Sequence, residues 1–273
     1  MLVLMKQILT FCLLGATLLL SGCGWHPSFR LPGMGHDVSI DRYDRIEALY
    51  LTTGDFSALQ KMNIDYPIQT RTLIEDVLKI GHVNDSEINM KFLHFFQDTT
   101  LQAIINEVGQ QYADMDDVSD ELDMAFMKLK ELMPELQIPK VYTQIGALDQ
   151  SIIITNDALG ICLDKYLGED YATYQRYYPL DQRRQMTRGM IVPDCLHFFL
   201  LSYFPLPNHG MVTQEECDFH MAKIQWLVNR LLKRKAFNGR YLNRVDAYMK
   251  QHPHWTGLEL LLSDADSVRA MVR

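Results

Sequence analysis

The fold of this chain depends on the stretch VYTQIGALDQSIIITNDALGICL, residues 141–163. Its first run, Val141–Ile145, is β-branched and aromatic, and Ser151–Thr155 contains three consecutive isoleucines. Such runs between turn residues are typical of β-strands. After a short polar turn, Leu159–Leu163 forms a third candidate strand. The stretch therefore predicts a small sheet in the middle of the chain.

Helical periodicity dominates on both sides of these strands, because apolar residues recur there at i, i+3, i+4 and i+7. Several residues mark where such helices begin and end. One helix is expected to start at Tyr66–Pro67 and to end at Gly81, another to start at Asp98 or Thr99, and a third to end at Pro134. Helices are expected to resume near Asp181 and to be interrupted at Pro193. The capping boxes Thr213–Glu216 and Thr256–Glu259 mark the starts of two more helices. We therefore predict one helix-dominated α+β domain with a small central β-sheet.

The N-terminus has the pattern of a lipoprotein signal. The apolar segment Ile8–Leu20 follows Lys6 and is shorter than the roughly 20 residues that a membrane-spanning helix needs. It ends in a tetrad that resembles a bacterial lipobox, namely Leu20, Ser21, Gly22 and Cys23. In this interpretation residues 1–22 are cleaved and Cys23 carries the lipid. The alternative is an ordinary secretory signal with an incidental cysteine.

The remaining chain is acidic and poor in cysteine. Residues 23–39 are rich in Gly, Pro and His and are expected to form a tether, which leaves residues 40–273 for the folded domain. The formal net charge of −8 argues against general binding to nucleic acid. Three further cysteines lie among apolar residues, so we expect buried free thiols and no disulfide scaffold. These are Cys162, Cys195 and Cys217.

A set of short stretches occurs in an order and spacing that cover nearly all of the chain after the lipobox. The stretches are Ile40–Asp44, Val141–Ile145, Ile154–Gly160, Leu163–Gly168, Ile191–Asp194, Asp246–Met249 and Leu258–Leu262. Together with the lipobox, this ordered set resembles the gliding motility lipoprotein GldB family. The resemblance implies an envelope lipoprotein that is required for surface motility and is not a known catalyst. It also implies envelope proteins as partners, with the gliding machinery as one candidate.

That family is similar, at a distance, to zincin-type metallopeptidases, whose helix bears the motif H-E-x-x-H. The matching positions here are Pro193, Asp194 and His197. Catalytic zinc needs three protein ligands and a water molecule, and proline offers no lone pair to a metal. Asp194 and His197 can share a helix face, and His220 or Glu215 could complete a different site. We interpret the motif as degenerate, with its Asp and His satisfied by local hydrogen bonds, and expect no metal, cofactor or catalytic residue.

Segment 166–178 is rich in tyrosine, a residue that is enriched at binding surfaces because it combines apolar area with a polar tip. Its tyrosines are Tyr166, Tyr171, Tyr174, Tyr177 and Tyr178. These five are the best candidates in the sequence for a recognition surface that holds a protein partner or a cell-wall glycan. The alternative is that they pack over the edge of the sheet.

These observations favour a non-catalytic envelope lipoprotein that supports gliding motility or a related envelope process through protein contacts. We expect a lipid anchor in the outer membrane, facing the periplasm, because Gly24 follows Cys23 and no acidic run comes after it. Two other classes of protein fit parts of the sequence. One is a membrane-tethered zinc-dependent peptidase that uses Asp194 and His197, and the other is a module that binds cell-wall glycan.

The lipobox interpretation predicts that a Cys23→Ala variant takes up no labelled lipid, because the thiol is the only attachment point for diacylglycerol. Growth of cells with labelled palmitate, followed by electrophoresis of the purified protein, measures this directly. A Cys217→Ala variant serves as the control and should keep the label. A wild-type protein without label would show that the cysteine is incidental, and label retained by the Cys23→Ala variant would show that lipid is attached elsewhere.

Overall fold

The computed structural model describes residues 38–206 and 213–263. The predicted signal segment, the lipobox residues Leu20, Ser21 and Gly22, the lipidation site Cys23 and the tether up to residue 37 lie outside these ranges. Within them the first ordered contact is made by Val38, which is 2% exposed and donates its backbone N–H to Asp123 Oδ1 at 3.1 Å. The tether therefore already joins the folded domain at Val38.

The described residues form a helix-dominated α+β domain, as the sequence predicts. The strands are β1 Ile40–Asp41, β2 Lys140–Gln144, β3 Ile152–Ile154 and β4 Ala158–Cys162. The α-helices are α1 Tyr43–Thr53, α2 Phe56–Asp65, α3 Pro67–Arg71, α4 Ile88–Phe95, α5 Thr99–Gln111, α6 Asp116–Leu132, α7 Ala172–Tyr177, α8 Leu180–Arg183, α9 Ile191–Tyr203, α10 Gln214–Leu232, α11 Arg240–Gln251 and α12 Gly257–Leu262. A π-helix at Thr72–Val77 continues α3, and single 3₁₀ turns occur at Leu163–Lys165 and Arg188–Met190.

The four strands form one mixed sheet in the order β1-β2-β4-β3. Strands β1, β2 and β4 run parallel, and β3 pairs with β4 in the antiparallel direction. All three strands expected from residues 141–163 are therefore confirmed. Every residue of β4 is buried, as expected for a central strand that is covered on both faces.

Two helices cover much of this sheet and connect it to the rest of the core. Helix α1 packs against β2, and α9 packs against β3 and β4. On its other sides α9 contacts α6 and α10, where Phe126 and Phe199 lie edge to face with their ring centroids 5.0 Å apart. One continuous hydrophobic core thus joins the sheet to the helices on both sides of it in the sequence.

The helix starts predicted from capping residues are confirmed. Asp98 accepts hydrogen bonds from the backbone N–H groups of Thr100 and Leu101 at 2.8 and 3.1 Å and so caps α5. Both capping boxes are formed, at the first turns of α10 and α12. These interactions are local, which is why the sequence pattern identifies them.

Two predicted helix boundaries are wrong. The helix after Pro67 ends at Val77, and Gly81 does not cap it. The left-handed residue that follows the helix is Lys79, with φ 54°, and the N–H of Ile80 bonds to the carbonyl of Ile74. Pro193 does not break a helix either. It occupies the first turn of α9, where its missing N–H is not needed for the helix, so α9 continues unbroken to Tyr203.

A close approach between neighbouring strands requires a glycine at position 160. Gly160 on β4 lies opposite Tyr142 on β2, and a Cβ atom at this position would lie 2.5 Å from Tyr142 Cζ. The tyrosine is 2% exposed and packs edge to face with Tyr43 of α1, so its ring cannot readily move aside. The glycine thereby allows α1, β2 and β4 to approach one another.

A Gly160→Ala variant should therefore lose about 1–3 kcal/mol of unfolding free energy, the usual cost of overpacking a core. Chemical denaturation with urea measures this loss. Gly109→Ala is the matched control, because position 109 lies in α5 with no atom within 4 Å of the added Cβ, and alanine there should stabilise by about 1 kcal/mol. Equal stability of the two variants would contradict the close packing of Gly160 against Tyr142.

Candidate recognition site beside the central strands

The loop that leaves β2 has an uncommon backbone conformation. Ala147 and Leu148 have φ values of 51° and 65°, so two consecutive residues with side chains are left-handed. Each such residue costs of order 1 kcal/mol and persists only where its surroundings hold it in place. Backbone strain of this kind is concentrated at binding and catalytic sites. The loop is therefore the starting point for a candidate site.

A buried carboxylate holds the loop in this conformation. Asp164 lies in the 3₁₀ turn directly after β4 and is fully buried. Its two oxygens accept hydrogen bonds from the backbone N–H groups of Gly146 and Leu148, at 2.8 and 2.5 Å. Burial raises the pKa of Asp164, and these two N–H groups partly oppose that rise because they stabilise the charged form.

The outer side of the loop is held by a lysine and a tyrosine. Lys165 Nζ donates to the carbonyl of Leu148 at 3.2 Å, and the hydroxyl of Tyr178 donates to the same carbonyl at 3.0 Å. Lys165 also lies 4.6 Å from the centre of the Tyr178 ring, within cation–π range. Both backbone polar groups of Leu148 are thus satisfied, and side chains hold the loop from both sides.

A groove opens beside this loop. We call it the tyrosine groove; its volume is about 480 Å³, and it lies between the loop, the end of α7 and the first turns of α5. Its apolar part includes Leu101 and Leu148, and its edge carries Asp98 and Asp149. Tyr177 stands at the rim with 65% of its surface exposed. The groove therefore offers apolar and aromatic area with two carboxylates at its margin.

The five tyrosines expected to form one surface differ in how far they are buried. Tyr166 and Tyr174 are 1% and 0% exposed, so the prediction is wrong for them. Their hydroxyl groups bond inward, Tyr166 to Asp194 Oδ2 at 2.8 Å and Tyr174 to the backbone carbonyl of Asp164. Tyr171, Tyr174 and Tyr178 are spaced for one helix face, and their rings pack edge to face at 5.0 and 5.8 Å. Tyr177 and the half-buried Tyr178 line the tyrosine groove.

Further polar groups are buried beneath the loop. Glu47 of α1 is fully buried and accepts a hydrogen bond from the backbone N–H of Ile145 at 2.9 Å. Its other oxygen has no hydrogen-bond partner, and neither has Gln144 Oε1 or the Tyr142 hydroxyl. Burial raises the pKa of Glu47 well above its ordinary value, and the nearby Asp164 raises it further. The protonated, neutral form of the Glu47 carboxyl group is therefore favoured.

No local sequence signal identifies Glu47 or Gln144 as part of this region. Glu47 lies far from residues 141–163 in the chain and reaches them only because α1 packs on β2. Asp164 belongs to a stretch, Leu163–Gly168, that resembles the GldB family, but its hydrogen bonds to the loop are not apparent in the sequence. The one hint in the sequence is that Asp164, an acidic residue, directly follows the apolar run Leu159–Leu163.

Helix α9 places Asp194 and His197, the positions compared with the zincin motif, in separate surroundings. Asp194 accepts the hydrogen bond of Tyr166, and burial raises the pKa of Asp194 to about 7. His197 is 4% exposed, packs against the ring of Phe237 at 5.4 Å and has its pKa lowered to about 4 by burial and then by His220.

The remaining candidate ligands and thiols have structural surroundings of their own. His220 Nε2 lies 2.6 Å from the carbonyl oxygen of Phe204. Within the described ranges, no group of three His, Cys, Asp or Glu side chains has a metal-binding arrangement. The three cysteines predicted to be free thiols are free; Cys162 and Cys195 are buried, and Cys217 is half-buried.

The fold and the site define a helix-dominated α+β domain with a preformed groove beside its central strands. Residues 31–236 match the family described as Gliding motility protein GldB. Since this match covers most of the chain, the protein belongs to the GldB family and is involved in gliding motility. The resemblance predicted from the ordered stretches is thereby confirmed, whereas the distant likeness to zincin-type peptidases stays a prediction.

The family is a lipoprotein family by name, which indicates a location in the cell envelope. In the part of the chain that the structure describes, no helix has both the length and the apolar character of a membrane span. Neither a curated protein nor a solved structure matches this chain.

Asp194 should make the stability of the protein depend on pH. Its carboxyl pKa rises from 3.8 when unfolded to about 7 when folded, so between these values the native state binds more protons than the unfolded chain. Its contribution to the unfolding free energy is therefore full below pH 4 and is lost as the pH rises to about 7.

An Asp194→Asn variant lacks this titration. The difference in unfolding free energy between wild type and variant should shift by about 2–4 kcal/mol between pH 4 and 7.5, to the disadvantage of the wild type at the higher pH. Urea denaturation at several pH values measures it, with the exposed Asp65→Asn as control. A difference that is constant with pH would contradict the burial of the carboxyl group.

Proposed function

We propose that this GldB family member is a non-catalytic envelope lipoprotein that supports gliding motility by binding a protein partner in the tyrosine groove. The observation that carries the proposal is the strained loop at Ala147 and Leu148, fixed by Asp164 from below and by Lys165 and Tyr178 from outside. Maintaining two left-handed residues at one edge of a groove costs free energy, which favours a role for their conformation in recognition.

Rigidity of the groove supports a binding role. A loop that is already fixed loses little conformational entropy when a partner binds, so more of the contact energy remains as affinity. The exposed ring of Tyr177 adds a large apolar surface at the rim, and tyrosine loses few rotamers on burial. These properties are those of an anchor residue next to a preformed surface.

The groove also limits the chemistry of its partner. Leu101 and Leu148 supply apolar contact, while the carboxylates of Asp98 and Asp149 stand at the margin. A partner segment with an apolar side chain flanked by lysine or arginine fits this arrangement, because opposite charges at the rim steer association. A glycan of the cell wall is the second candidate, since aromatic rings with nearby carboxylates also suit sugars.

The absence of catalysis is part of the proposal and is supported by the surroundings of the degenerate motif. Pro193 offers no metal ligand, Asp194 is bonded to Tyr166, and His197 packs between aromatic rings. We place the protein in the outer membrane on the periplasmic side, attached through Cys23, on the basis of the lipobox and of the residues that follow it.

Site-specific crosslinking tests the proposal. Position 177, changed to the photoreactive p-benzoylphenylalanine in cells, should give discrete protein adducts on illumination, because the side chain stands at the rim of the groove. Position 56 is the matched control, since Phe56 on α2 is 66% exposed against 65% for Tyr177. In a Tyr177→Ala variant the amount of partner protein that co-purifies should also fall at least tenfold, and the cells should spread less on surfaces. In a Phe56→Ala variant the amount of co-purified partner and the surface spreading should stay at the wild-type level.

The outcomes separate the three classes. Equal adducts at both positions, or none at either, would refute the proposal that the groove binds a protein partner. Binding to purified peptidoglycan that is lost in Tyr177→Ala would assign the groove to glycan instead. Cleavage of peptides by the purified protein in a chelator-sensitive manner, abolished in His197→Ala, would show a metallopeptidase and refute the non-catalytic role.

A further inference from the structure

A second cavity, unrelated to the tyrosine groove, lies at the C-terminal end of α10. Its volume is about 530 Å³, and it is bounded by the last turns of α10, the connection 233–239 and the first turns of α11. Trp226, Phe237 and Leu242 form its apolar part. We call it the basic cavity, because most charged residues that line it are cationic.

The charges around the basic cavity do not balance. Its single carboxylate, Asp246, is bonded to Lys250 Nζ at 2.6 Å and to Trp226 Nε1 at 3.1 Å. One of its cations, Arg234, is paired with Glu121 of α6 at 3.1 Å. Three cations remain without an ion pair among the described residues, and all three are exposed. These are Arg230, Lys233 and Lys235.

This excess stands out in a chain whose formal net charge is −8. The negative end of the α10 dipole explains a basic residue in the last turn, such as Arg230. It does not explain Lys235, which lies beyond the helix, nor the concave arrangement of all three cations around one space. Like charges that converge on a cavity repel one another, and a bound anion relieves this repulsion.

The connection that carries these cations is held in a fixed shape. The side chain of Asn229 donates to the carbonyl of Phe237 at 2.8 Å and accepts from its N–H at 3.0 Å, which closes the connection onto α10. Lys233 takes the left-handed conformation, φ 54°, that ends the helix. Arg234 adds a hydrogen bond to the carbonyl of Gly189 at 2.8 Å. The basic cavity is therefore preformed.

We propose that the basic cavity binds a small ligand through a phosphate group. A phosphate group, with two negative charges and several acceptor oxygens, fits three converging cations better than a single carboxylate does. The guanidinium of Arg230 can donate two parallel hydrogen bonds to the phosphate. The asparagine side chains at 238 and 243 supply further donors at the margin. A soluble phosphate ester and a lipid headgroup share this chemistry.

The concave shape favours the soluble ligand over a membrane surface. A flat anionic bilayer would face the acidic remainder of the chain, whereas a small ligand enters the space between the cations. This inference is independent of the tyrosine groove, since the two cavities share no lining residue.

Calorimetric titration of the purified full chain, in a nonionic detergent at constant ionic strength, tests the proposal. Inorganic phosphate is the first probe and short-chain phosphatidylglycerol in mixed micelles is the second. Phosphate should bind saturably with a stoichiometry of one, and the double variant Arg230→Gln, Lys235→Gln should bind it at least tenfold more weakly. Lys61→Gln with Arg71→Gln removes the same charge from exposed positions elsewhere and should bind as the wild type does.

Each result decides the proposal. Phosphate binding that the double variant loses supports a soluble phosphate ligand. Binding of phosphatidylglycerol alone, lost in the same variant, supports the phosphate site but assigns it to a lipid headgroup. No saturable binding of either probe overturns the proposal, and so does binding that both double variants retain or lose equally. Circular dichroism of each variant confirms that it is folded.

Discussion

The hydrogen bonds that Asp164 accepts from the loop after β2 are the interaction on which the candidate site depends. A buried carboxylate is costly unless its oxygens are satisfied, and here the backbone N–H groups of Gly146 and Leu148 satisfy them. The same bonds fix the left-handed conformation of Ala147 and Leu148, which no local preference of these residues would produce. One side chain thus joins the end of β4 to the loop that follows β2 and shapes the edge of the tyrosine groove.

The interior around this loop is unusually polar for the centre of a domain. Glu47 reaches it from α1, and Gln144 and Tyr142 extend from β2 with polar atoms that have no protein partner. Groups of this kind are commonly satisfied by an internal water molecule where space allows, and their retention favours one specific packing over alternatives. Gly160 belongs to the same arrangement, because it admits the Tyr142 ring between neighbouring strands.

The tyrosine groove and the basic cavity have opposite character. The tyrosine groove is aromatic and edged by carboxylates, whereas the basic cavity carries three cations that form no ion pair with any residue the structure describes. Helix α9 packs on β3, β4, α6 and α10, and its His197 contacts Phe237, which lines the basic cavity. Helix α9, which carries Asp194 and His197, thus connects the sheet to α6 and α10.

The sequence by itself determined the features that depend on neighbouring residues. The strands within 141–163, the caps at Asp98, Thr213 and Thr256 and the membership of the GldB family all follow from local pattern and order. Tertiary structure alone decided that Pro193 lies in the first turn of a helix without breaking it and that Tyr174 is buried while Tyr177 is exposed. The reason is that periodicity shows which residues share a face, but only packing between distant segments decides which face is covered.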